Sequence, residues 1–401
     1  MNLFKSTLII ILSLMLTNCT NNDDKLKARA NELAQKFIIT DGHIDLPWRL
    51  HKNGYEDISV RTPGGDFDYV RAKQGGLDAP FMSIYVPATY QVTGGAKEMA
   101  LELMNSVKRI TTDHPDKFEM AYSISDVERI FNEGKIALPM GMENGAPIEG
   151  DLDNIQFFFD EGIRYITLTH SEDNDICDSS YNLGERTHKG LSDFGKEVVL
   201  EMNRVGIMVD ISHVSDDAFY QIMDVTQVPA IASHSSARHF TPGFERNMSD
   251  DMIKRLAENG GVIQINFGSS FVTQESQDKR KKNSEDVSAF VKENNLESDD
   301  PRVKEFAKKV AIDNPVFCDV TDVADHFDHV VKLVGIDHVA FGSDYDGVGD
   351  TLPYGLKDAS TFPNLIYHLL KRGYSEEDIE KICYKNIWRV WKATEEFAEL
   401  N

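Results

Sequence analysis

Short apolar runs alternate with longer stretches of helical periodicity from one end of the chain to the other. Eight runs have the length and composition of strands: 37–44 (FIITDGHI), 80–86 (PFMSIYV), 136–142 (IALPMGM), 163–169 (IRYITLT), 206–212 (GIMVDIS), 228–233 (VPAIAS), 261–266 (GVIQIN) and 337–343 (DHVAFGS). Between them, 97–111, 193–204, 215–225, 249–259 and 320–334 carry apolar residues at helical spacing. Strands alternating with helices, with no long linker, predict an α/β fold of the (β/α)8 TIM-barrel type; a doubly wound sheet would alternate in the same way. Two stretches exceed the minimal barrel. Residues 273–310, dense in charge of both signs, predict a helical insertion after the seventh strand, either a lid or a solvated excursion. Residues 375–399, with Ile379, Ile382, Ile387, Val390 and Phe397, predict a C-terminal helix packed on the barrel.

The N-terminus has a different pattern. Lys5 precedes an apolar run, Leu8 to Leu16, broken only by Ser13. A bilayer span needs roughly 20 apolar residues, so this run reads as the hydrophobic region of a secretory signal, and residues 1–18 stand outside the fold. The LTNC segment ending at Cys19 resembles a bacterial lipoprotein box, which makes Cys19 a lipidated first residue; an ordinary cleaved signal is the other reading. Residues 19–36 then serve as a polar tether and entry segment, and 37–401 as the barrel domain. Cys177, Cys318 and Cys383 are widely spaced and predict buried thiols rather than a disulfide framework.

Composition removes several functions. The chain has 42 Lys+Arg against 66 Asp+Glu, a net charge of −24, so there is no basic stripe for nucleic acid. With 41% hydrophobic residues it can bury a large core, which argues against disorder. The acidic excess is expected in exposed segments such as 149–161, 172–178 and 375–380.

The chemistry sits at the strand ends. The first strand finishes in DGHID, and the two-residue alternation of a strand turns His43 and Asp45 to one face, as a metal-ligand pair or a simple hydrogen-bonded pair. Glu143 leaves the third strand (GMENG), His213 the fifth (DISH) and His234 the sixth (IASHSS). A carboxylate and neutral imidazoles converging from separate strands are costly to bury unless a cation compensates them. His170 follows the fourth strand and Asp344 the eighth, the end at which barrel enzymes gather their catalytic groups. His43, Asp45, Glu143, His213 and His234 exceed what one tetrahedral ion with an open position uses. They fit two ions sharing one carboxylate, and Glu143 is central in strand order. Of the twelve histidines, His51, His114, His188, His239, His326, His329, His338 and His368 lie elsewhere and are assigned no role; His188 and His239 fall nearest the mouth.

These motifs resemble the membrane (renal-type) dipeptidase family of zinc peptidases. The likeness runs over about 37–395 through DGHID with Pro47, GMENG, RYITLTHS, GLSDFGKEVVLEMNRVGIMVDISHVS, PAIASHSSARHF, RNMSDDMIKRLAENGGVIQINF and HVAFGSDYDGV. The resemblance implies two Zn2+ ions, one on His43 and Asp45, the other on His213 and His234, bridged by Glu143. It implies dipeptide hydrolysis in which Asp344 moves the proton, His170 hydrogen-bonds the oxyanion and Arg246 clamps the C-terminal carboxylate. A helix-entry salt bridge beside NMSDD is the alternative for Arg246. The family also suggests a homodimer and acceptance of a D-residue at the C-terminal position, while 171–190 departs from its pattern. Together with Cys19, the reading is an exported lipoprotein anchored in the bacterial cell envelope. The rival readings are another metal-dependent amidohydrolase or deaminase, which commonly shows His-x-His on the first strand, and a non-catalytic peptide-binding lipoprotein.

Overall fold

In the computed structural model, which describes residues 22–400, the eight predicted strands close on themselves as a parallel barrel. Numbered in chain order, the strands are β1 (Ile39–Ile44), β2 (Leu77–Tyr85), β3 (Phe118–Met120), β4 (Ile136–Leu138), β5 (Met140–Glu143), β6 (Ile163–Thr167), β7 (Met208–Asp210), β8 (Ile231–Ser235), β9 (Val262–Ile265) and β10 (Val339–Phe341). The barrel order is β1-β10-β9-β8-β7-β6-β5-β2, and β1 pairs with β2 to close it. Parallel neighbours need crossovers, which helices such as Asp193–Val205, Asp216–Val225, Asp250–Glu258 and Val320–Val334 provide. Their starts are written in the sequence. Ser192, Ser215 and Ser249 accept the backbone N–H of Gly195, Ala218 and Met252, and Asp319 with Asp322 forms a reciprocal capping box.

The C-terminal helix Asn386–Leu400 packs its tryptophans beneath the barrel, and Trp388 Nε1 donates to Thr40 Oγ1 at 3.0 Å. A column of aromatic rings rises from this plug to the site. Trp391 lies 5.2 Å from Phe81, Phe81 lies 5.4 Å from Tyr165, and the Tyr165 hydroxyl meets His43 Nδ1 at 2.8 Å. Gly141 makes room for it, because a methyl there would collide with the Tyr165 ring.

Three expectations change. The run 136–142 is two strands: β4 pairs with β3 in a separate two-stranded sheet, and β5 enters the barrel. Pro139 divides them because it has no N–H for a ladder, while its carbonyl accepts Met82 N at 2.8 Å. Residues 22–36 are a helix rather than a tether. Ala30, Leu33 and Ala34 form a buried stripe, and Arg29 Nε donates to Glu376 Oε1 at 2.8 Å, so the folded body starts ahead of residue 37. The acidic segment 172–178 is divided: Glu172 and Asp175 are exposed as expected, while its far end folds inward. Asp178 is fully buried and accepts the N–H of His188 at 2.8 Å and of Gly190 at 2.7 Å.

The insertion is helical, Gln274–Glu293 and Pro301–Asp313, joined by a stacked Phe290–Phe306 pair with centroids 4.2 Å apart. Cys177, Cys318 and Cys383 are free, buried thiols. No helix among the described residues is long and apolar enough to cross a membrane. The signal segment and Cys19 lie outside the described residues.

Candidate metal centre and active site

At the end of the barrel where the strands finish, Asp45, Glu143, His170, His213, His234, Arg246 and Asp344 line one pocket of about 290 Å³. His43 lies directly below, fully buried, with Nε2 3.5 Å from both Asp45 Oδ2 and Glu143 Oε2. Every residue singled out from the barrel sequence therefore converges, although they come from the ends of β1, β5, β6, β7, β8 and β10 and, for Arg246, from the loop after β8.

Glu143 is the centre of the arrangement. Its Oε2 faces His43, and its Oε1 faces His213 Nε2 at 3.1 Å, His234 Nε2 at 3.3 Å and His170 Nε2 at 3.5 Å. Two ligands of one tetrahedral zinc, each about 2.0–2.1 Å from it, stand about 3.3 Å apart, so these separations match donors awaiting a common ion. At this mouth three donor sets cluster within 4.8 Å: His43, Glu143 and His234; Glu143, His170 and His213; and His43, Asp45 and Asp344. His43 Nε2 and Asp45 Oδ1 have no hydrogen-bond partner although both are buried. Orphaned polar atoms this deep are expensive unless a cation satisfies them.

The surroundings fix which nitrogen points inward. Asp210, fully buried in β7, accepts the Ser233 hydroxyl at Oδ2 (2.6 Å), so Ser233 Oγ is left to accept His234 Nδ1–H at 2.7 Å. That places the lone pair of His234 on Nε2, facing Glu143. The same carboxylate holds the backbone N–H of Ser212 and Ser233. Asn266 Nδ2 donates to Asp344 Oδ2 at 2.7 Å and leaves Oδ1 turned toward Gly347, where any added methyl would strike both Asp344 Oδ1 and Asp45 Oδ2.

Burial keeps His213 and His234 far below the ordinary imidazole range, hence neutral, and lowers His170 as well. Burial also opposes charge on His43, but Tyr165, Glu143 and Asp45 outweigh it and raise the group well above its usual value. Desolvation pushes Asp344 up to about 7 and raises Asp45, whereas at Glu143 the neighbouring histidines overcome burial and hold the carboxyl well below its usual range. Three buried carboxylates converging with the neutral His213 and His234 at ligand spacing form a donor set that fits divalent cations. The backbone is also strained here. Asn144 (φ 82°), His213 (φ 70°) and Asp344 (φ 62°) all occupy the left-handed region, at about 1 kcal/mol or more each.

Arg246 is buried and faces the pocket. It donates to Ser235 Oγ at 2.7 Å and to the His234 carbonyl at 2.8 Å, its Nε has no partner, and its guanidinium lies 5.5 Å from the Phe271 ring centroid. The salt bridges at this helix entry belong to its neighbour Glu245, which pairs with Arg186, and to Arg238, which pairs with Asp216. The set-aside histidines near the mouth have structural partners. His188 Nε2 meets the Asn174 carbonyl at 2.8 Å, and His239 stacks on His329, which in turn meets Asp250 at 2.7 Å.

The sequence reading passed over Asp210, Ser233, Tyr165 and Asn266, as well as Tyr181 and Arg280 in the pocket wall. Asp210 did leave a signal, as the lone charge inside the apolar run 206–212.

Fold and site together define a metal-dependent hydrolase built on a (β/α)8 barrel. The chain belongs to the membrane dipeptidase family (peptidase family M19), which it matches over residues 27–401. It is 30% identical over 385 residues to mouse dipeptidase 3, covering 94% of this chain and 69% of that protein. It is 31% identical over 386 residues to an uncharacterized dipeptidase of Schizosaccharomyces pombe, covering 92% of this chain and 84% of that protein. Among solved structures, the probable dipeptidase PvdM from Pseudomonas aeruginosa superposes with a TM-score of 0.80 at 26% identity, over 94% of this chain and all of that one (100%). A Rhodobacter sphaeroides metallo peptidase, solved with a phosphinate mimic of L-Ala-D-Ala, shares the fold with a TM-score of 0.73 at 24% identity, over 89% of this chain and 99% of that one.

Proposed function

We propose that this protein is a dipeptidase whose site holds two divalent ions, zinc by its donor chemistry, one on His43 and Asp45 and one on His213 and His234, with Glu143 shared between them. The observation that carries the reading is the division of Glu143: one oxygen toward His43, the other toward His213 and His234, all at ligand-to-ligand spacing. When bound, such ions polarise a carbonyl and make water a competent nucleophile near neutral pH.

The chain's own residues do the rest. Asp344 Oδ1, free because Asn266 holds Oδ2, takes the proton of the attacking water and passes it to the leaving amine as the C–O bond forms and the C–N bond breaks. His170, at the pocket wall beside Glu143, donates to the oxyanion. Arg246 receives the C-terminal carboxylate through its unpartnered Nε–H and remaining Nη hydrogens. A pocket of about 290 Å³ with the Arg246 guanidinium in its lining suits a short peptide with a free C-terminus rather than a polypeptide.

The test is a dipeptide panel, with L- and D-residues at the second position, assayed before and after metal removal. Hydrolysis abolished by chelation and restored by zinc is expected; hydrolysis that persists in metal-free protein sinks the reading.

The N-terminal run and Cys19 support export and lipid anchoring at the cell envelope. Cys19→Ser is expected to move the protein from the membrane fraction to the soluble one, with activity per mole unchanged. A wild-type chain without a lipid adduct would refute the anchor.

A further inference from the structure

Arg280, on the second turn of the insertion helix Gln274–Glu293, lines the same pocket as Asp45, Glu143 and Asp344. It belongs to a run of four basic residues, Lys279 to Lys282, in a chain of net charge −24. Lys279 is spent on Glu275 at 2.7 Å, and Lys282 on Asp286, both on the same helix. Arg280 has no carboxylate within ion-pair reach among the described residues. Instead its Nη1 donates to Ser270 Oγ at 2.8 Å. The next residue, Phe271, carries Arg246 over its ring. The two guanidinium groups are therefore moored on adjacent residues of the short helix Ser269–Val272, and the Tyr181 hydroxyl in the same wall lies in the field of both.

Arg246 alone has enough free N–H groups for one carboxylate. Arg280 is exposed to solvent at the rim, and with no protein carboxylate to pair, this second guanidinium on the same side of the pocket is available to a second anionic group on the ligand. We propose that Arg280 makes the site selective for dipeptides whose C-terminal residue has an acidic side chain, with Arg280 pairing the side-chain carboxylate while Arg246 holds the main-chain one. The inference rests on the dipeptidase reading above. It commits to the C-terminal residue because the two arginines share one anchoring helix. It commits to a carboxylate over an amide because a guanidinium rewards charge and a planar two-oxygen acceptor. The insertion thereby acquires a role: it carries a specificity residue to a barrel mouth whose chemistry is made by the strands.

The experiment compares kcat/KM for Ala-Glu and Ala-Gln, in both configurations of the second residue, with zinc-loaded enzyme. A charge-assisted pair with a guanidinium this exposed predicts a preference for Glu of about three- to fivefold. In Arg280→Gln the ratio is expected to fall toward one, with Arg280→Lys intermediate. Lys281→Gln, exposed in the same basic run, is expected to keep the wild-type ratio. A wild-type ratio near one overturns the proposal. So does a Lys281→Gln effect as large as that of Arg280→Gln, which would mean a general field rather than a pair. Failure of the zinc-loaded enzyme to cleave any dipeptide overturns the dipeptidase reading itself and this inference with it, whereas cleavage without preference overturns only the inference.

Discussion

Glu143→Gln is expected to lower kcat/KM by about 10³-fold or more and to reduce bound metal from the two equivalents per chain proposed above to one or none. The magnitude follows from the several kcal/mol that metal electrostatics contribute to a hydrolytic transition state, at about 1.4 kcal/mol per decade. The substitution preserves shape but not function at this position. Glu143 presents one oxygen to His43 and the other to His213 and His234, and an amide can present an oxygen to only one side. Its NH2 would face either His43 Nε2 or the lone pair of His234, so one half of the centre loses its acceptor. Stability separates this from misfolding. In chelator, the neighbouring histidines hold the wild-type Glu143 carboxylate ionised, so the amide gives up those contacts while easing the crowding with Asp45 and Asp344. The metal-free variant should melt cooperatively, at or a few degrees below the metal-free wild type, while losing the rise in melting temperature expected of the wild type on adding zinc. Full activity with two equivalents of metal bound would exclude the bridging role.

The parts of this centre that were legible in the sequence share a physical reason. His43 and Asp45 follow the two-residue alternation of a strand, and Glu143, His213 and His234 stand at the exits of apolar runs, where a polar side chain has no core to join. Tyr165 and Asn266 escaped because an aromatic or amide residue in or beside a strand reads as ordinary packing. Only the folded barrel puts the Tyr165 hydroxyl under His43 and Asn266 against Asp344. Charge misled where the backbone consumes it. In segment 172–178 Glu172 and Asp175 are solvated as expected, yet Asp173 and Asp178 are occupied by the N–H groups of Ser179, Thr187, His188 and Gly190, which order the loop. Residues 22–36 looked like a tether because their polar residues outnumber three buried apolar ones, and those three are enough to dock a helix. Arg280 was illegible for the opposite reason: one basic residue in a run of four reaches the pocket, and the helix phase that selects it depends on where the insertion leaves the barrel.

Asp344→Asn is expected to reduce kcat by about 10²- to 10⁴-fold with both equivalents of metal retained, the range associated with losing a positioned proton carrier. The substitution is close to isosteric, and the side-chain oxygen of the new amide can still accept from Asn266 Nδ2, which today bonds Asp344 Oδ2 at 2.7 Å. The backbone at this position has φ 62°, which asparagine tolerates as well as aspartate does. What the amide cannot do is take a proton at the atom facing the pocket and return it to an amine. The position also distinguishes two roles that geometry alone leaves adjacent, because Asp344 forms a compact donor set with His43 and Asp45. If Asp344 were chiefly a ligand, the Asp344→Asn variant would lose metal and activity together, and excess zinc would restore both. If it carries the proton, metal content stays at the wild-type value, excess zinc has no effect, and KM changes less than kcat because the clamp at Arg246 is intact. A rate within a few-fold of wild type in the fully metal-loaded variant would refute the proton-transfer role.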